Sequence, residues 1–384
     1  MPRLFPFPDI PMNTVATRVG DLLGAIDTPA LILDLDAFER NLQKMADFAR
    51  DAGIRLRPHA KTHRSATIAV RQIELGAIGQ CCQKVGEAEA LVRGGVRDIL
   101  VSNQVLDLQK LRRLAGLAKQ ARISRCFDAA EQVDAASCAA QEFGVELGAL
   151  VEIDLGMWRC GVPPGEPAAA LARHIAASPG LRFEGLQAYE GKAQHLKTYE
   201  ERAQAVQVAA QAVQLSIDAI GLAGLKCEVI GGGGTGTFMF EGASELWTEL
   251  QCGSYIFMDG EYAAIEGNDG APYAEFEHSL FVLATVMSTA GKGRVVVDAG
   301  LKSYTLEKGL PTIEGQPNAR LVAASDEHGT IALLSPDADI PLGTRLKLIP
   351  SHCDPTVNLH DHYICVRGGR VEAIWPISAR GASN

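Results

Sequence analysis

Long apolar runs, paired cysteines and an excess of positive charge are all missing from this sequence. No apolar run reads as the roughly 20 consecutive residues that a bilayer-spanning helix needs, so no membrane partner is expected. Lysine and arginine total 36 against 46 acidic residues, a net charge of −10. That balance excludes nonspecific nucleic-acid binding and attraction to an anionic membrane. The opening stretch MPRLFPFPDIPMNTV has one arginine and four prolines but no apolar core of a signal peptide. It is expected to be a loop or arm. The nine cysteines are scattered, with no CxxC pair, which predicts reduced, buried thiols in a cytoplasmic protein. Cys81 and Cys82 are adjacent, so on a strand they point to opposite faces and make a poor disulfide or chelate.

What is present is a strand–helix alternation. The run ALILDLD leads into a helix, AFERNLQKMADFARDAG. Eight further strands are expected over 56–61, 79–85, 98–103, 123–128, 146–154, 182–190, 226–233 and 249–257. Most are followed by a helical pattern, although the link from the seventh to the eighth is glycine-rich and only weakly helical. Eight such repeats predict an α/β fold, a parallel (β/α)8 barrel of the TIM type. From about residue 265 the runs become short, β-branched and separated by Gly, Pro and Asp turns, which predicts an all-β domain. The expected division is a barrel over 28–262 and a β domain over 263–384, joined by residues 1–27.

Barrel enzymes work at the carboxyl ends of their strands. Here those ends carry Lys61, Asp154 followed by Arg159, Tyr189, the glycine run 231–234, and the tripeptide 253–255. Lys61 stands between His59 and His63, where Pro58 biases Arg57 to an extended conformation. Glycines let backbone N–H groups close on phosphate oxygens, and Thr235, Thr237 or Ser254 add hydroxyl donors. A phosphate cradle and a strand-end lysine together suggest pyridoxal phosphate, whose aldehyde the lysine would bond.

The motifs TPALILDLDAFERN, RPHAKTH, VEIDLGMWRCGV, QAYEG, GGGGTGT, ELQCGSYIFMD and PSHCDPTVNLHD resemble those of the D-threonine aldolase and eukaryotic-type D-serine dehydratase family. This family has the alanine-racemase-like, fold-type III pyridoxal phosphate fold. The resemblance runs from about Thr28 to Pro376. It implies a homodimer with active sites close to the subunit interface. It gives Lys61 the covalent bond to the cofactor and places Arg159 and Tyr189 beside it. Gly233, Thr235, Gly253, Ser254 and Tyr255 match the phosphate-binding loops.

His352 and Asp354 lie two apart after the run TRLKLI. On an extended segment both side chains point the same way. Spacing alone reads them as a loop histidine with a capping aspartate. The resemblance makes them ligands of a divalent metal, with Mn²⁺ favoured and Mg²⁺ or Zn²⁺ also suited to imidazole and carboxylate. The D-serine dehydratases of the family carry cysteine at the second position, so Asp354 leans to the aldolase side. His195 follows the sixth barrel strand; it either orients substrate and moves a proton or simply starts a helix. His360, Asp361 and His362 read as a polar turn. The resemblance implies a pyridoxal phosphate- and metal-dependent aldolase that cleaves a small-molecule D-3-hydroxy amino acid to glycine and an aldehyde. The alternatives are a dehydratase that releases ammonia from D-serine or D-threo-3-hydroxyaspartate, and a pyridoxal phosphate carrier without activity.

Overall fold

The computed structural model describes residues 16–384; the expected arm at 1–15 lies outside the described residues. The strands of the first half are β1 (Ala30–Asp34), β2 (Arg55–Leu56), β3 (Gln80–Cys82), β4 (Asp98–Val101), β5 (Arg122–Phe127), β6 (Leu147–Glu152), β7 (Leu181–Gln187), β8 (Val229–Gly232) and β9 (Glu249–Leu250). Between and after them come α1 (Leu35–Asp51), α2 (Ala66–Glu74), α3 (Val85–Arg93), α4 (Leu108–Leu117), α5 (Ala130–Phe143), α6 (Glu166–Ala177), α7 (Tyr199–Leu222), α8 (Phe238–Gly242) and α9 (Gly260–Ala263). Strands β2 to β9 form one parallel sheet of eight. A bridge from His59 to Cys81 joins β2 to β3 and closes it. This is the expected TIM-type barrel, although its strands are shorter than the sequence runs suggest.

Local chemistry accounts for the helices. Asp34 caps α1 by accepting N–H bonds from Asp36 and Ala37. Leu35, Phe38, Leu42, Met45 and Ala49 then recur at helical spacing and are buried. Thr198 and Glu201 form a capping box at the start of α7. Helix α7 corrects one expectation: by length and composition it is apolar enough to cross a bilayer. It is nevertheless the crossover from β7 to β8, with Val206, Ala209, Val213 and Ile220 buried. The weak link after β8 is the five-residue α8.

The second sheet holds β10 (Leu280–Ser288), β11 (Arg294–Val297), β12 (Thr312–Ile313), β13 (Ala319–Ala324), β14 (Gly329–Leu333), β15 (Arg345–Ile349), β16 (His362–Arg367) and β17 (Arg370–Pro376), with α10 (Cys353–Val357) between β15 and β16. It also holds β1. Residues 30–34 were expected in the barrel, yet β1 pairs antiparallel with β10 and parallel with β16. Leu31 and Leu33 face the main core, while Ala30 and Ile32 face a second core with Phe281, Leu283 and Ile364. Burial on both faces explains why β1 reads as an unbroken apolar run.

The amino-terminal end of the barrel is filled by charge. Arg57 donates to Glu249 at 2.8 Å and to Asp98 at 2.6 Å. Ser124 and Arg122 donate to Glu184, both at 2.9 Å. A Cβ at Gly148 would stand 2.2 Å from Ser124 Oγ and 2.5 Å from Glu184 Oε1, so only glycine fits there. Above this layer sit Cys81, Leu100, Cys126, Leu150 and Val229. Cys82 faces the outer core instead, as expected for adjacent strand residues.

Two stability predictions follow from these layers. Arg57→Met leaves Glu249 buried without its main partner and should cost about 3–5 kcal/mol, with Arg57→Met/Glu249→Leu recovering part of it in urea unfolding. His63, fully buried, has its pKa drawn down to about 4 by burial, against hydrogen bonds that raise it. The unfolded chain, with an ordinary histidine, takes up that proton first as pH falls from about 6.5. Stability should therefore be complete above that pH and decline toward pH 4, by on the order of 3 kcal/mol. His63→Leu should flatten this part of the pH profile.

Candidate active site

The cavity at the carboxyl ends of the barrel strands holds about 350 Å³. Lys61, Arg159, Tyr189, His195, Thr235, Gly253 and Ser254 line it, so the barrel brings together most of the residues singled out from sequence. Two expected residues turn away. The Tyr255 hydroxyl accepts from Gln72 Nε2 at 3.0 Å and its ring packs on Phe276. Gly233 backs onto Leu250 and Glu241, and its neighbour Gly234 faces the cavity instead. Gln83, Ser102 and Glu152 also line it. Sequence reasoning missed them, although each stands at a strand end and the same positional rule would have found it.

Lys61 follows the short β2, and its backbone N–H donates to His59 Nδ1 at 3.3 Å. Its ammonium pairs with Asp354 from the second domain. Burial opposes the charge on Lys61, but Asp354 and Tyr189 outweigh burial and hold its pKa above the ordinary lysine value. Burial likewise works against the Asp354 carboxylate, but Lys61 and His352 hold its pKa down to about 2. The Tyr189 phenol is pushed up to about 12 by burial, with Lys61 and Arg159 opposing. Its proton therefore stays on at neutral pH.

The second domain reaches Lys61 through a clasp. Gly260 N–H donates to Pro350 O at 2.9 Å and Glu261 N–H to Ser351 O at 3.0 Å. The Asp259 carboxylate accepts from Cys353 N–H at 2.9 Å and from Tyr262 N–H at 3.1 Å. The segment carrying His352 and Asp354 is not extended, as the spacing argument assumed. His352 is the last residue before α10 and Asp354 lies in its first turn. Asp354 turns to Lys61, while His352 Nδ1 lies 3.0 Å from Glu307 Oε1. Glu307 lies 45 residues upstream, and nothing in the local sequence pattern marks it. His195 Nδ1 lies 3.2 Å from Glu261 Oε1, which also pairs with Lys308 at 2.9 Å. Burial lowers the His195 pKa despite Glu261, which keeps the ring neutral and able to accept a proton.

The residues fit both groups that the sequence suggests. Thr235 Oγ1 is buried without a partner in the glycine loop. A Cβ at Gly234 would stand 2.3 Å from Gln194 Oε1, and one at Gly253 2.6 Å from Thr62 Oγ1. This is a close backbone cradle with a spare donor, as a phosphate requires. Asp354 Oδ1 is likewise buried without a partner. Among the described residues no three His, Cys, Asp or Glu side chains form a metal cluster. A cation would therefore have few protein ligands and keep positions for substrate or water.

The alanine racemase N-terminal domain family matches residues 33–261, and a putative serine dehydratase domain family matches residues 279–366. A D-threonine aldolase from Arthrobacter sp. is 49% identical over 365 residues, covering 95% of each chain. A 3-hydroxy-D-aspartate aldolase from Paracoccus denitrificans (strain Pd 1222) is 46% identical over 360 residues, covering 93% of this chain and 92% of that protein. The crystal structure of D-threonine aldolase from Filomicrobium marinum matches with a TM-score of 0.93 at 47% identity, covering 96% of this chain and 100% of that one. With both domain families in order and these relatives aligned along nearly its whole length, the chain belongs to the D-threonine aldolase and eukaryotic-type D-serine dehydratase family of alanine-racemase-like pyridoxal phosphate enzymes.

Proposed function

We propose that this chain is a carbon–carbon lyase that cleaves D-threonine and other D-3-hydroxy amino acids to glycine and an aldehyde. Pyridoxal 5′-phosphate would be held in the barrel and a divalent cation at His352 and Asp354. The observation that carries this reading is the meeting of Lys61 and Asp354, a reactive amine from one domain beside a carboxylate from the other. The cofactor, when bound, supplies a sink for the electron pair left at Cα, and the cation polarises the 3-oxygen. Lys61 is the amine for the cofactor's aldehyde. Gly234, Gly253, Ser254 and Thr235 offer donors to its phosphate. Arg159 and Tyr189 line the space beside it.

His195, on the cavity wall, is the group for the 3-hydroxyl proton in this reading. Its Nδ1 lies 3.2 Å from Glu261 Oε1, which supports a proton on Nδ1 and a lone pair on Nε2. Imidazole and carboxylate suit Mn²⁺ well, with Mg²⁺ and Zn²⁺ as competitors. Asp354, where the dehydratases of the family carry cysteine, favours the aldolase over the dehydratase reading. Trp158, 89% exposed beside the cavity, and the bare Val208, Leu215 and Leu222 on α7 support a homodimer. The free thiols support a cytoplasmic setting.

Borohydride reduction of the loaded protein should fix the cofactor on Lys61, and Lys61→Ala should lose both the adduct and activity. Full activity in that variant would remove Lys61 from the reaction. D-Threonine and D-allo-threonine should turn over and the L-isomers should not, as a coupled aldehyde assay would read. Asp354→Ala should keep the cofactor's absorbance and lose about 10²–10⁴-fold in rate, roughly the several kcal/mol that a bound cation's charge stabilisation supplies. A chelator should reproduce that loss, and Mn²⁺ should reverse it only in the unmodified protein. Cleavage of D-threonine that survives chelation would return His352 and Asp354 to a structural role.

A further inference from the structure

A histidine has two ring nitrogens, and only an unprotonated one can bind a cation. At His352 the choice is made by Glu307, whose Oε1 lies 3.0 Å from Nδ1. An ionised carboxylate can only accept a hydrogen bond, so the proton sits on Nδ1 and the lone pair on Nε2. We propose that Glu307 is a positioning residue for the cation site: it holds the His352 ring so that Nε2 is presented together with the unpartnered Oδ1 of Asp354. This rests on the reading of His352 and Asp354 as a cation site. Metal-bound histidines characteristically give their other N–H to a carboxylate or carbonyl, which fixes both tautomer and ring orientation.

The loop that delivers Glu307 is stitched to the segment it serves. Thr305 N–H donates to Thr356 Oγ1 at 3.2 Å, and Thr356 Oγ1 donates to the carbonyl of His352 itself at 2.8 Å. His360 Nε2 donates to Ser303 O at 2.8 Å. Glu307 N–H donates back to Thr305 Oγ1 at 3.3 Å. The other acidic groups nearby are engaged elsewhere. Asp259 accepts two backbone N–H groups, and Glu261 pairs with Lys308 and His195. The next residue, Lys308, is thereby drawn to Glu261 and away from Glu307. The Glu307 side chain is 49% exposed. A half-exposed hydrogen bond of this kind contributes little to folding, so its role shows in metal binding rather than stability.

The test is a titration of the pyridoxal phosphate-loaded protein, stripped of metal, with Mn²⁺, reading free Mn²⁺ by electron paramagnetic resonance. Glu307→Ala should weaken Mn²⁺ binding about 10–100-fold, with cofactor absorbance and thermal midpoint unchanged. Glu307→Gln should lose less, because its amide oxygen still accepts the Nδ1 proton. His352→Ala marks the loss of the ligand itself. Unaltered Mn²⁺ affinity in Glu307→Ala, beside a loss in His352→Ala, overturns the role of Glu307 and leaves the cation site standing. A Glu307→Ala defect that comes with a lower thermal midpoint or lost cofactor also overturns it, since the residue would then only hold the fold. Absence of Mn²⁺, Mg²⁺ and Zn²⁺ binding by the unmodified protein brings down the cation site and this inference together.

Discussion

Asp259, Gly260 and Glu261 at the end of the barrel and Pro350, Ser351 and Cys353 after β15 hold each other, and the active site depends on that hold. Two backbone bonds run from Gly260 and Glu261 to Pro350 and Ser351. The Asp259 carboxylate then fastens the first turn of α10. Burial raises the Asp259 pKa to about 6, with the N–H groups of Cys353 and Tyr262 opposing that rise. Burying a carboxyl costs free energy unless hydrogen bonds compensate it, and here both oxygens are engaged. The compensated group fixes where Asp354 can point, and that direction leads to Lys61.

The electrostatics of the cavity depend on this arrangement. Asp354 sits where an unpaired charge would be costly, and it and the half-buried Lys61 each stabilise the charged form of the other. His59, Tyr189 and His195 surround them in uncharged form. Burial and then Lys61 take the His59 pKa well below its ordinary value. Arg159 and Glu152 also stand on the cavity wall, so the ion pair and these neutral rings share the space with further charges.

Much of this was legible in the residues. The eight strand–helix repeats and the change to short β-branched runs gave the architecture, because burial patterns report sheet type directly. Strand-end position picks out Lys61, Arg159, Tyr189 and Ser254, and these line one cavity. Gly233 and Tyr255, named from the motif match, lie off its wall, because such a match does not say which of two adjacent glycines faces inward or where a buried ring turns. The geometry of His352 and Asp354 was misjudged, since two-residue spacing was read as extended when a helix begins between them. Strand β1 falls inside the expected barrel bounds of 28–262 because its true place depends on partners about 250 and 330 residues away. Glu307 was beyond reach for a similar reason: its meaning comes from a contact, not from a pattern.

The position of β1 also bears on how the molecule is assembled. It lies between β10 and β16, so the entire barrel is an insertion between two neighbouring strands of one sheet. The barrel is thus anchored at both of its ends, as a domain on two hinges rather than one. Rotation about a single linker, the usual freedom between consecutive domains, is denied to it. On a ribosome, β1 emerges early and must wait for β16 before its second edge is covered. The barrel strands, all supplied in between, can close first. Helix α10, which carries Asp354, follows the barrel in the chain, so the site needs both domains folded to bring Lys61 and Asp354 together.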